Sequence, residues 1–147
     1  MLKKLGLAAA FSLVAAAPAW AQSTCGAEPI PPAIPSAAEI GQKNPADAGK
    51  AKHQAFLDIK AWQTALKDYR GCLDSDENQN KRDQQNAASQ SKPDQDRIKA
   101  IAAKLADDES ANSRSTDDEE RVVNDFHALS TAYCSRSDVD KSSCPKT

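Results

Sequence analysis

Four cysteines, two histidines and one run of alternating Asp and Asn are the side chains of this 147-residue chain whose types and spacing could do chemistry. Cys25, Cys72, Cys134 and Cys144 contain no Cys-x-x-Cys pair, so a thioredoxin-type redox site lacks its motif. An even number of such cysteines in an oxidising compartment reads as two disulfides. A serine or cysteine nucleophile would need His53 or His127 as its base. No His-Glu-x-x-His, Gly-x-Ser-x-Gly, Walker-type or dinucleotide fingerprint accompanies them, and no cofactor is implied. His127 shares a helix face with Glu120 and Asn124, which could orient an imidazole or hold a metal; a solvated histidine is the preferred reading.

Asp74-x-Asp76-x-Asn78-x-Asn80 copies ligand positions 1, 3, 5 and 7 of a calcium loop. That loop needs glycine at position 6 and a bidentate glutamate at position 12, where this chain has Gln79 and Gln85. The stretch therefore reads as solvated, and Asp138-x-Asp140-x-Ser142 matches less well still. The carboxylates at Asp107-Asp108-Glu109 and 117–120 could form an acid–base pair only if one were desolvated. Their polar surroundings point instead to a charged solvent face. The expectation is a chain with no catalytic, cofactor or metal site.

The ends of the chain set its compartment. Lys3 and Lys4, the apolar run 5–17 and Ala19-Trp20-Ala21 have the form of a secretory signal over 1–21, cleaved before Gln22. Gln22-Ser23-Thr24 before Cys25 is not a lipoprotein box, and no second apolar segment offers a membrane anchor. A periplasmic or secreted protein is expected. Without Lys3 and Lys4, 17 basic side chains face 21 acidic ones, a formal charge of −4. That balance, with no basic–aromatic interleaving, argues against nucleic acid. Leu, Ile, Val and Phe number 16 of the 126 remaining residues, about 13% against the roughly 20% of a chain with a full core. Each disulfide, contributing about 2–4 kcal/mol, then matters to stability.

The pattern is all-α. Residues 22–44 form a Pro-rich arm, with Pro29, Pro31, Pro32 and Pro35 favouring an extended chain. Asn44-Pro45 reads as a cap and first helical residue. The helical domain spans 45–136, with a polar stretch at 74–92 and a tail at 137–147. Ala55, Ile59, Trp62, Leu66, Tyr69 and Leu73 recur at alternating spacings of 4 and 3, a heptad seam. A second seam opens with Ile98, Ile101 and Leu105 and closes with Val122, Phe126, Leu129 and Tyr133. The halves stay in phase through Asp108, Asn112, Ser115 and Glu119, yet Thr116-Asp-Asp-Glu119 also has the form of a capping box.

Two architectures follow. One is a long antiparallel hairpin, 45–90 against 93–136. The other is a three-helix up-down-up bundle with segments near 46–74, 94–109 and 116–136. In the hairpin Cys134 lies some 24 residues, about 36 Å, along the helix from Cys72. A bridge spans about 4.4–6.8 Å between Cα atoms, so the hairpin needs Cys25–Cys72 and Cys134–Cys144. The bundle permits Cys72–Cys134 and Cys25–Cys144.

The arrangement Cys25…Pro29-Ile-Pro31-Pro32…Tyr69-Arg-Gly-Cys72-Leu73-Asp74 resembles small exported proteobacterial helical proteins. Those have a cysteine before a proline arm, a Tyr-x-x-Cys-Leu first helix and a later amphipathic helix, here Asp118 to Tyr133. The resemblance implies a Cys25–Cys72 pair, leaves Cys134 and Cys144 to each other, and carries no activity. The functional expectation is a non-enzymatic exported protein acting by protein–protein or envelope contact, or by self-association along an exposed part of the seam. The alternatives are a small-molecule or divalent-metal binder using His53, His127 or 74–80, and a holdase-like chaperone.

Overall fold

A computed structural model describes residues 24–145. The expected signal over 1–21 and its cleavage before Gln22 lie outside the described residues. The fold is all-α, with three helices and no strand among the described residues: α1 (Ala37–Gln42), α2 (Pro45–Ala88) and α3 (Gln95–Ser135).

Each helix starts where a side chain can take an orphan backbone N–H. Asn44 accepts from the Asp47 N–H, with Pro45 at the first helical position as the sequence predicts. Asp94 accepts from the Arg97 N–H after the 89–93 turn. The first helix corrects the reading of 22–44 as extended throughout. Ser36 Oγ accepts from the Glu39 N–H at 3.2 Å, and the Ser36 N–H donates to Glu39 Oε2 at 2.7 Å. This reciprocal box winds Ala37–Gln42 into a turn and a half of helix once the prolines end.

The polar stretch is helical as far as Ala88, so α2 runs for 44 residues, about 66 Å at 1.5 Å per residue. Thr116 starts no new helix. Its hydroxyl donates to the Asn112 carbonyl one turn back, and α3 continues unbroken for 41 residues. Contacts between the long helices run antiparallel, the α3 partner falling in number as the α2 partner rises. Lys52 lies over the Tyr133 ring, Gln63 donates to Glu119, Arg70 to Ser115, and Asn80 to Asp108.

The core is a line, not a ball. Ile59, Trp62, Leu66, Tyr69 and Leu73 pack with Ala111 and Val122, and Cys25 and Ile34 of the arm cover them. Towards the chain ends, Ile40 of α1 sits with Ala48, Ala55, Leu129 and Tyr133. The seam is therefore buried as expected at Ala55 through Leu73 and at Ile101, Val122, Leu129 and Tyr133. Ile98, Leu105 and Phe126 are only half-buried. Phase continuity through the polar middle of α3 holds at Asp108 and Ser115, both buried, while Ala111 takes the buried place expected of Asn112. Beyond Leu73 the seam thins, and Ala87 and Ile101 are the remaining buried apolar residues on the two helices.

Candidate functional site

Both disulfides join the ends of the chain to the long helices. Cys25–Cys72 has a Cα separation of 5.5 Å and Cys134–Cys144 one of 5.8 Å, and no cysteine among the described residues is free. The first bridge lays the arm along α2, where the Trp62 indole N–H donates to the Pro29 carbonyl at 3.0 Å and Thr24 donates to Asp76. Cys25, Cys72 and Asp76 lie close enough to surround an ion, but sulfurs bonded to each other are not thiolates and do not ligate one.

Beside that bridge, the arm and the polar halves of α2 and α3 border an open cleft of about 650 Å³. Asp108 borders it and is 6% exposed, its Oδ2 accepting from Asn80 at 3.4 Å. Burial, and next the Asp76 charge, hold its carboxyl above the usual aspartate range. Glu28 faces Arg114 at 3.8 Å, and burial followed by the Glu28 charge pushes the Tyr69 hydroxyl up. The acids are nevertheless spread out. Among the described residues no three carboxylates converge as ion ligands do.

A different surface forms around the second bridge. The tail returns over the open ends of α2 and α3, and Tyr133 Oη donates to the Asp140 carbonyl at 3.0 Å. Lys52 Nζ donates to Ser143 O at 2.9 Å and Ser143 Oγ at 3.1 Å, and lies 4.9 Å from the Tyr133 ring centre. Burial pushes this ammonium group down from the usual lysine range. Arg136 closes the corner by donating to the carbonyls of Ile40 and Lys43 and pairing with Asp138. Next to this corner Phe56 and Phe126 stand 6.2 Å apart with their rings tilted by 41°. Phe56 is 44% exposed, and Val123, one turn from Phe126, is 45% exposed. The two phenylalanines, Lys52, His53 and the tail line a groove of about 550 Å³.

The residues singled out in the sequence scatter. His53 lines that groove, whereas His127 lines a neighbouring one. Glu120 and Asn124 lie exposed on α3. The alternating acids 74–80 are on a continuous helix, where side chains two apart point about 200° away from each other and cannot encircle an ion. Asn78 donates to the Asp74 carbonyl and Asn80 crosses to Asp108, so the run is spent on helix contacts. Asp140 accepts from Ser142 and caps the tail turn. Sequence reasoning missed Lys52 and Arg70. Lys52 sits at a seam position, three residues before Ala55. Arg70 donates to Ser115 Oγ at 2.8 Å and to Ser115 O at 2.6 Å, and pairs with Glu119. Its place directly after the seam residue Tyr69, flanking the apolar stripe, was the available signal.

Among the described residues the arrangement is that of a disulfide-clamped helical protein whose partly exposed Phe56 lies against Phe126 beside the tail. No helix among the described residues is long and apolar enough to cross a membrane. No family model, curated protein or solved structure matches the chain.

Proposed function

We propose that this is an exported, non-enzymatic helical protein that acts by contact with another protein, and that the contact is made by the face around Phe56 and Phe126. The observation that carries the reading is that ring pair. Two large aromatic residues meet between α2 and α3 beside the tail, in a chain with few large apolar residues. A partly exposed aromatic ring such as Phe56, packed on a second ring beside a rigid corner, is suited to anchor a protein interface. Two disulfides, formed in an oxidising compartment, support export. A metal or small-molecule role has less support, because His53 and His127 belong to different grooves and 74–80 are turned apart along α2.

Photo-crosslinking tests the reading directly. Benzoylphenylalanine replacing Phe56 gives a specific adduct with an envelope protein, while the same probe replacing exposed Lys67 gives none. Equal background from both positions contradicts it.

A further inference from the structure

The two grooves flanking the Cys134–Cys144 bridge share Ser130, Cys144 and Pro145, and they differ in charge from the rest of the molecule. The chain has 21 acidic side chains, yet among the described residues no Asp or Glu lines either groove. Their charged or chargeable residues are Lys52 and His53 in one, and His127 and Lys141 in the other. Lys60 adds a further cation, with its ammonium 5.8 Å from the centre of the Phe56 ring. Hydroxyls fill most of the remaining polar positions, and hydroxyls donate to carboxylates.

The walls are held in place before any partner arrives. Cys144 is tied to α3, Ser143 is held through both its carbonyl and its hydroxyl by Lys52, and Asp140 is held by Tyr133. A preorganised groove loses little entropy on binding. Elsewhere exposed acids such as Asp107, Glu109, Asp117 and Glu120 on α3 would repel a negatively charged segment.

Resting on the reading of this face as a contact surface, we propose that its partner is an acidic, extended segment of another protein. One apolar side chain of that segment sits on Phe56 and Phe126, and flanking carboxylates meet Lys60, His53 and Lys141. Nucleic acid fits less well, since a phosphate backbone brings a long line of charge to a chain that is net acidic, and the cations of this face cover only a short stretch.

The test uses the exported protein with both disulfides intact and a fluorescein-labelled peptide, Glu-Glu-Ser-Leu-Phe-Ser-Glu-Glu. A twin carries Lys in place of every Glu, and binding is followed by fluorescence anisotropy. The acidic peptide is expected to bind at least about tenfold more tightly than its twin, and more weakly when salt is raised to about 0.5 M. K60E combined with K141E, both exposed positions, should weaken it about tenfold with melting temperature unchanged, and F56S should weaken it about tenfold with the helical circular-dichroism signal retained. Equal binding of both peptides, or unaltered binding by the variants, overturns the proposal. So does light scattering that shows the face covered by a second copy at the concentrations used. If the crosslink from position 56 forms while the acidic peptide fails to bind, only the partner chemistry is wrong; if both fail, the contact surface itself is wrong.

Discussion

The Trp62 indole N–H donates to the Pro29 carbonyl at 3.0 Å, joining the second helix to the arm across 33 residues of sequence. That bond and the Cys25–Cys72 bridge hold the arm to α2 at two places ten residues apart, about 15 Å along the helix, and Cys25 and Ile34 of the arm pack against the core between the long helices. In material cleaved before Gln22, Trp62 is also the one tryptophan and reports on the arm.

Replacing Cys25 and Cys72 by serine should free the arm and cost about 4 kcal/mol in the chain-entropy view, given a sequence separation of 47. The same change at Cys134 and Cys144, separated by 10, should cost about 3 kcal/mol. Denaturant melts measure both. A red shift of Trp62 fluorescence is expected in the first variant and not in the second.

Trp62→Phe keeps most of the ring and removes the indole donor. It should cost about 1–2 kcal/mol, more than an exposed substitution, because the hydrogen bond to Pro29 is lost along with some packing. Leu66→Ala, at a position 1% exposed, should cost about 2–5 kcal/mol. Urea unfolding ranks the two.

The two helical glycines on α2 should part company. Nothing approaches a Cβ built at Gly71, so Gly71→Ala should stabilise α2 by up to about 1 kcal/mol. At Gly49 the added Cβ meets Tyr133 Oη at 3.3 Å, the oxygen that donates to the Asp140 carbonyl. Gly49→Ala should therefore yield less or reverse the sign, and thermal melts of the pair decide it.

The buried carboxylate sets the dependence on pH. Asp108 is held above the usual range by burial first and by the Asp76 charge second, so the folded chain binds its proton more tightly than the unfolded chain does. Between the usual and the raised value, stability falls as pH rises and returns as pH falls. Glu39 and Asp138 work the other way. Their carboxyls are lowered, chiefly by hydrogen bonds from Ser36 and Arg136 respectively. Their contribution is present at neutral pH and is lost as pH drops through their lowered values. Asp108→Asn should accordingly stabilise the protein at pH 7 and remove the gain on mild acidification. Chemical denaturation from pH 4 to pH 8 checks both parts.

How far the sequence reveals this molecule differs from element to element. The seam from Ala55 to Leu73 could be counted because every position is apolar and nothing interrupts the period. The middle of α3 was harder, since Asp108 and Ser115 occupy buried positions that composition alone assigns to solvent. Thr116 to Glu119 has the side chains of a cap without the break in helix that a cap needs. The first helix was missed although Ser36 and Glu39 spell its box, because the prolines before it dominate the reading of the arm. The aromatic face was not legible as a site. Phe126 counts as a seam residue by spacing, and only the packed helices show it half-buried at the edge of the core, where its ring meets the more exposed Phe56. The acid-free lining of the grooves depends on where the tail folds back, which spacing along the chain does not encode.

Both the arm over Trp62 and the tail beside Phe126 owe their positions to sulfur pairing, so tryptic mapping without reductant is the most direct test. The account predicts peptide 22–43 linked to 71–81, and 122–136 linked to 142–146. Free thiols in the purified protein, or a link between 71–81 and 122–136, would contradict it.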